Sequence, residues 1–428
     1  MKPSVAKGKV WLGLTVLALT LCLGAPGAQA ADTVKIGSIV PLSGGLALEG
    51  RETFRGIEIA ADMQNARGGV HDKQIALVKG DSQTPKTAIT EAERLINVEG
   101  VKLFCGHYSS SRTKAATTIT EKYGAVTMVV IALADDITSR GFKFVFQAPG
   151  RASMWGGDAA KFIAEAAAPK LGIKPAELTV ALAHEDSDFG TSISEGFITV
   201  AKQFGMKIVA REPYSYKALD LSSVVLRLKQ ANADVLVLTP YIRDGVLFLQ
   251  QARDAQLNPK VLICPGGVLS NPVFHEKLGE DMNYILVTSS ASLNVKEEAF
   301  QKEGWEALKE FEKRYQEKFN EPATQDAYQG FDGAWVFFHY ALPQAKSLEP
   351  QDVADCLRGL KLAQGQSVTT FGYEFGGLDN PNPGANLIGW PNIFQWQQGS
   401  IRHMVHPAKF AGSELMLPMP AWGQRSMK

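Results

Sequence analysis

The stretch from Thr33 to Arg112 limits the possible folds more than any other part of this chain, because short apolar strands and helix-length segments strictly alternate along it. Val34-Lys35-Ile36-Gly37-Ser38-Ile39-Val40 reads as a strand, Pro41-Leu42-Ser43-Gly44-Gly45 as a loop, and a long helix ends at Asn65-Ala66-Arg67-Gly68-Gly69-Val70. A strand from Gln74 to Val78 delivers Gly80-Asp81-Ser82. A helix from about Pro85 to Asn97 leads to the strand Val101–His107, and Ser109-Ser110-Ser111 then opens another helix. The plan resumes farther on, with strands at Thr179–His184, Lys207–Arg211, Asp234–Thr239 and Val261–Cys264. The helices between them run through Gly190–Phe204, up to Asn232 and from Asp244 to Ala255, and Asp220 or Ser222 is placed to cap the second of these. Strands separated by helices of this length form right-handed crossovers and parallel sheets covered on both faces. The expected fold class is therefore α/β, with two doubly wound Rossmann-like lobes.

The segment ahead of the first strand reads as an export signal. Lys2, Lys7 and Lys9 make a cationic start, Val10 to Leu23 is almost wholly apolar, and Ala28-Gln29-Ala30 is a small-x-small cleavage site. Residues 1–30 are thus expected to be removed and the mature chain to begin near Ala31, in the periplasm. A lipidated start would use Cys22, but Leu21 stands where a small residue is wanted. The remaining chain of about 400 residues exceeds the usual size of one domain. Losing the three lysines takes the formal charge from zero to −3, which gives no basic excess for nucleic acid or an anionic membrane surface. Cys105, Cys264 and Cys356 are an odd set, so at least one thiol stays free or pairs between chains. Cys105 and Cys264 lie in apolar strands and read as small buried hydrophobes.

Motifs for chemistry are missing. The loop after the first strand lacks Gly-x-Gly-x-x-Gly, and the sequence holds no Walker sequence, no Gly-x-Ser-x-Gly elbow and no metal-ligand spacing. No cofactor or metal is expected. Asp135-Asp136 reads as a loop or helix-cap pair. What the pattern offers is a binding cleft, because ligands of open α/β sheets sit at the carboxyl ends of strands. The sharpest element there is Ser109-Ser110-Ser111-Arg112-Thr113, where hydroxyls and free amides at a helix start favour an anion. The same serines also suit ordinary capping, and His107 reads as a packed strand-end residue.

The order of these elements, from the first strand through His107 and the serine cluster, resembles the opening of branched-chain amino-acid-type periplasmic binding proteins, which feed ABC importers. The resemblance implies a type I periplasmic binding fold, with two lobes joined by three crossings and a small organic solute held between them. It implies an N-terminal lobe of residues 31–149 plus 291–372, and a C-terminal lobe and tail of residues 150–290 plus 373–428. The crossings would fall near Ala148-Pro149-Gly150, Ser289–Ser292 and Phe371–Phe375, with the tail packed on the second lobe. Ser110, with Ser109 and Ser111 beside it, would grip a ligand carboxylate. Ala132 and Leu133 would stand on the next strand-end loop, and Phe189, Tyr241 and Tyr328 would form aromatic walls.

Two positions depart from the family pattern. Leu133 stands where a hydroxyl is usual, and Gly266 stands where an acid normally holds the ligand ammonium. Both changes imply a roomier, more apolar pocket, suited to an aromatic or acyl acid. Glu49 occupies a usually aromatic place and reads either as a displaced cation partner or as a solvated helix-start charge. In the competing reading the acid has moved elsewhere and an amino acid is still bound. The expected partners are a small carboxylate-bearing solute and the permease of an ABC importer, with the binding protein a monomer and no nucleic acid bound. An amino-acid or amide sensor on the same fold is the alternative, and an enzyme is disfavoured.

Overall fold

The computed structural model describes residues 32–290, 295–398 and 401–427, with positions 1, 3, 4 and 8. Apart from those four positions, the expected signal segment and its cleavage site lie outside the described residues, as do Ala291 and Ser292 of the expected second crossing. The first lobe runs β1 (Thr33–Val40), α1 (Ala47–Ala66), β2 (Gln74–Asp81), α2 (Pro85–Asn97), β3 (Leu103–Gly106), α3 (Ser110–Lys122), β4 (Val126–Val129) and β5 (Val145–Gln147). Local chemistry sets these bounds. Thr84 and Thr87 form a reciprocal cap ahead of α2, and Pro85 occupies the first helical position, where no backbone N–H is missed. The strands form a parallel sheet in the order β2-β1-β3-β4-β5, with β1 and β2 paired from Thr33–Gln74 to Val40–Asp81.

The second lobe begins with α4 (Ala152–Phe162), which continues toward α5 (Ala168–Leu171). It proceeds through β6 (Thr179–Glu185), α6 (Asp188–Gln203), β7 (Lys207–Tyr214), α7 (Ser222–Ala231), β8 (Val235–Thr239), α8 (Ile242–Asp254), β9 (Val261–Cys264), α9 (Pro272–Leu278) and β10 (Leu286–Ser289). Asn232 ends α7 in the left-handed conformation that an asparagine tolerates. The chain then returns to the first lobe with α10 (Lys302–Phe319), α11 (Gln325–Trp335) and α12 (Pro350–Gly359), followed by the short pair β11 (Lys361–Leu362) and β12 (Tyr373–Glu374). Finally β13 (Asn392–Gln397) and β14 (Ile401–His406) add an antiparallel pair to the second sheet, whose order is β14-β13-β10-β9-β8-β6-β7.

The α/β class and the two-lobe plan are as expected. The parallel strands of the second lobe repeat the order of the first, so each sheet has a point where the order reverses and a crevice opens at the strand ends. In the first lobe this lies between β1 and β3, and in the second between β6 and β8. The second sheet has an apolar core on each face.

The last crossing falls later than Phe371–Phe375. Ala385 bridges to Gln147 at the edge of the first sheet, Gln147 N–H donates to Gly384 O at 2.8 Å, and the Phe375 ring packs edge-on against Phe146. Residues 373–386 therefore belong with the first lobe, held by backbone pairing that the loop-like composition of this stretch conceals. In the tail, Met419 and Trp422 join the core of the second lobe, and Trp422 Nε1–H donates to Leu257 O at 2.8 Å. Cys105 and Cys264 are buried, and all three described cysteines are free thiols. Among the described residues no helix is long and apolar enough to cross a membrane, and no group of acids, histidines and cysteines is placed to hold a metal ion.

Candidate ligand cleft

The two reversal points face each other across one small cavity. Its volume is about 30 Å3. The first lobe contributes Tyr108, Ser109 and Ser110 after β3 and Ile131, Ala132 and Leu133 after β4. Gln325, Asp326 and Gln329 reach it from α11. The second lobe contributes Phe189, Tyr241 and the loop from Gly266 to Val268, with Asn271. Direct contacts close the lobes around it: Tyr241 Oη–H donates to Ser109 Oγ at 3.2 Å, Ile242 N–H to Glu49 Oε1 at 3.4 Å, and Lys114 lies 3.2 Å from Asp188.

Both serine hydroxyls are oriented by what they accept. Ser109 Oγ takes hydrogen bonds from Arg112 Nη1 at 2.9 Å and from Tyr241, while Ser110 Oγ takes one from the Ala134 N–H at 3.1 Å. Each hydroxyl therefore has its proton left to donate. Two outward donors at the start of α3, with the Arg112 guanidinium behind them, make an anion-directed corner. The backbone is bent to build it, since His107 has φ 74° and Ser109 φ 68°. His107 is a packed strand-end residue, and burial pushes its pKa down to about 4.

The opposite corner is acidic. Asp326 is 9% exposed and makes no side-chain hydrogen bond among the described residues. Burial, with Glu49 and Glu52 nearby, pushes its carboxyl well above the ordinary range. Beside it, Gln325 Oε1 is buried without a hydrogen-bond partner among the described residues. These acceptors are placed by close packing of α11 on α1. A Cβ on Gly56 would strike Ala327 O, and one on Gly330 would strike Thr53 O, so glycine lets the two backbones touch.

Seven of the ten residues expected at the site line this cavity: Ser109, Ser110, Ala132, Leu133, Phe189, Tyr241 and Gly266. Three do not. Ser111 is one residue into α3 and is turned about 100° away from Ser110 by the helical repeat. Tyr328 is two residues beyond Asp326 on α11 and points into the first-lobe core, where its hydroxyl donates to Glu312 at 2.7 Å and its ring packs on Phe311 at 5.1 Å. Glu49 is buried beneath the cleft, where it receives the Ile242 amide, and burial raises its pKa to about 7.

The expected gain of room at Gly266 is also overturned. Gly266 has φ 91°, and a Cβ there would stand 2.7 Å from the Phe189 ring. The absent side chain is replaced by that ring, which stacks on Tyr241 at 5.5 Å. Asp326 was missed from sequence because an acid in the first turn of a helix has a ready explanation in the helix dipole.

The sequence pattern of the family described as periplasmic binding protein matches residues 33–378. A Leu/Ile/Val-binding protein homolog 7 of Brucella abortus is 35% identical over 401 residues, covering 92% of this chain and 97% of that one. The chain belongs to the periplasmic binding proteins of the branched-chain amino-acid-binding family. Homolog 8 of the same organism is 33% identical, over 86% of this chain and 89% of its own. Solved structures agree on the type I fold. A leucine binding protein from Thermotoga maritima superposes with a TM-score of 0.73 at 20% identity, covering 87% of this chain and 97% of that one. A solute binding protein of an ABC transporter from R. palustris, in complex with benzoate, gives 0.70 at 18% identity, covering 91% and 97%.

Proposed function

We propose that this binding protein works in the periplasm as the substrate-binding component of an ABC importer, and that its solute is an α-amino acid with an apolar side chain. The observation that carries this reading is a single one: two hydroxyl donors and an unpaired buried acid line the same small cavity from different elements. A carboxylate suits the Ser109–Ser110 corner, an ammonium suits Asp326 and Gln325, and an apolar body suits Ile131, Leu133, Phe189 and Val268. The relatives bearing Leu/Ile/Val-binding names support it, as does a structural neighbour from Streptococcus pneumoniae solved with isoleucine (TM-score 0.72, 21% identity, covering 88% of this chain and all of that one). The ligand joins the two walls, so binding favours the closed lobes, and the permease reads that closed surface. The protein acts as a monomer and returns its solute unaltered.

The test is calorimetry with L-leucine, L-phenylalanine and their des-amino analogues, run in buffers of different ionisation enthalpy. The amino acids are expected to bind and to release a proton, because an ammonium favours the ionised Asp326. If the des-amino acids bind as well, and Asp326→Asn changes nothing, the aromatic or acyl acid reading replaces this one. The apolar wall and the benzoate-bound neighbour make that the runner-up. Recovery of a chemically altered solute at protein-dependent rates overturns the carrier role itself.

A further inference from the structure

A second space lies on the other side of Tyr241. This outer pocket has a volume of about 410 Å3, against about 30 Å3 for the inner cavity. Gln83, Thr84 and Arg112 line it from the first lobe, and Tyr216, Lys217 and Arg243 from the second. Three cations therefore surround one interlobe space. Arg112 is only 6% exposed, and its hydrogen bonds go to neutral groups: Gln83 O from Nε and Nη2, and Ser109 Oγ from Nη1. Three of its five N–H donors are committed in this way, which leaves two. Among the described residues no carboxylate lies within ion-pair distance of Arg112, Lys217 or Arg243.

Two acids stand near enough to matter. Asp244 also lines the pocket, but its carboxyl is occupied by the Tyr214 hydroxyl at 2.9 Å and the Tyr241 amide at 3.2 Å, and burial raises its pKa to about 8. Glu49 interacts electrostatically with Arg112, and burial raises its pKa to about 7. Both are thus held toward the neutral form, and the positive charge of the pocket is poorly offset. Arg112 on one lobe shares this space with Lys217 and Arg243 on the other, an arrangement that like charges oppose unless an anion lies between them.

We propose that the outer pocket is a second anion subsite, taking a carboxylate or phosphate oxyanion that bridges Arg112 of one lobe to Lys217 and Arg243 of the other. Occupying it offsets the repulsion across the closing gap, so an anion there acts as a latch on the closed form. The negative group has two possible sources: a second acidic group on the solute itself, running past Tyr241, or a separate small anion bound together with the solute. The second source does not depend on which solute fills the inner cavity.

The full mature protein is titrated by calorimetry and thermal shift with inorganic phosphate, with glutarate and with L-leucine, at constant ionic strength set by sodium chloride. At least one of the two anions is expected to raise the melting temperature. Its affinity should fall about tenfold in the Lys217→Gln/Arg243→Gln double variant, whereas L-leucine binding does not weaken, because neither residue lines the inner cavity. Ser110→Ala separates the sources: phosphate binding that survives it marks a separate anion, and glutarate binding that weakens with it marks a solute reaching both corners. The proposal is overturned if neither anion binds, or if the double variant binds them as the wild type does. Failure of L-leucine alone, with anion binding retained, counts against the amino-acid reading and leaves the outer subsite standing.

Discussion

The two lobes repeat one strand order, and the loops that follow the third parallel strand in each meet at the cleft with opposite chemistry. After β3 the first lobe presents Tyr108-Ser109-Ser110, two oriented hydroxyls at the head of α3. After β8 the second lobe presents Pro240-Tyr241, a broad ring whose hydroxyl reaches across to Ser109. The asymmetry extends to the rest of the cavity. The first lobe supplies the acid and two amides, Asp326, Gln325 and Gln329, while the second supplies the rings of Phe189 and Tyr241, a glycine that makes room for them, and the single amide of Asn271. One wall recognises polar groups and the other excludes water. A solute can therefore be selected on the first lobe and sealed by the second, a division that suits hinged closure.

The largest expected effect tests the polar wall. Asp326→Asn should weaken amino-acid binding by about 2–5 kcal/mol, the usual result of removing one partner of a buried charge pair. Calorimetry with L-leucine reads it, and an unchanged affinity would mean that the polar wall does not hold an ammonium. Next comes the apolar wall. Gly266→Asp restores the acid usual in the family, but the new Cβ collides with Phe189 at a backbone angle that suits glycine. It should lower stability by about 1–3 kcal/mol in denaturant unfolding and weaken binding as well. A stable variant with tighter amino-acid binding would show that Phe189 moves freely and that the lobes share the recognition.

Smaller effects sharpen the division. Ser110→Ala should cost about 1–3 kcal/mol of binding, since a buried polar group loses its partner. Tyr241→Phe removes the hydroxyl that bonds Ser109 and also interacts with Ser187, and should cost about 0.5–1.5 kcal/mol. If Tyr241→Phe proves the more damaging, the second wall is doing polar recognition after all. The smallest effect concerns pH. The folded pKa of Glu49 is raised from 4.5 to about 7, so the folded state keeps a proton that the unfolded chain loses first. That contribution to stability is full below about 4.5, declines as the pH rises toward 7, and is absent above it. Glu49→Gln should flatten the fall in melting temperature across this window relative to wild type. Equal slopes would place the titration elsewhere, with Asp244 the neighbouring candidate.

Much of this was written locally in the chain. Alternating apolar strands and capped helices define β1 to β3 and β6 to β9 within a few residues, and they require parallel sheets because crossover helices of that length allow little else. The serine cluster was legible because a strand end followed by a helix start has the same chemistry wherever it stands. Phe189 and Tyr241 were legible for the same reason, each lying just past a strand of the second lobe. Tertiary structure decided what depends on residues far apart in sequence. Asp326 reaches the cavity because α11 returns more than two hundred residues later to lie on α1 through Gly56 and Gly330. Tyr328, two positions on, is sent into the core by the same helix. Gly266 looked like missing bulk until Phe189, from the first turn of α6, was seen to fill the space. Local periodicity fixes which residues face a strand end or a helix face, but only packing between distant segments decides which of those faces meet.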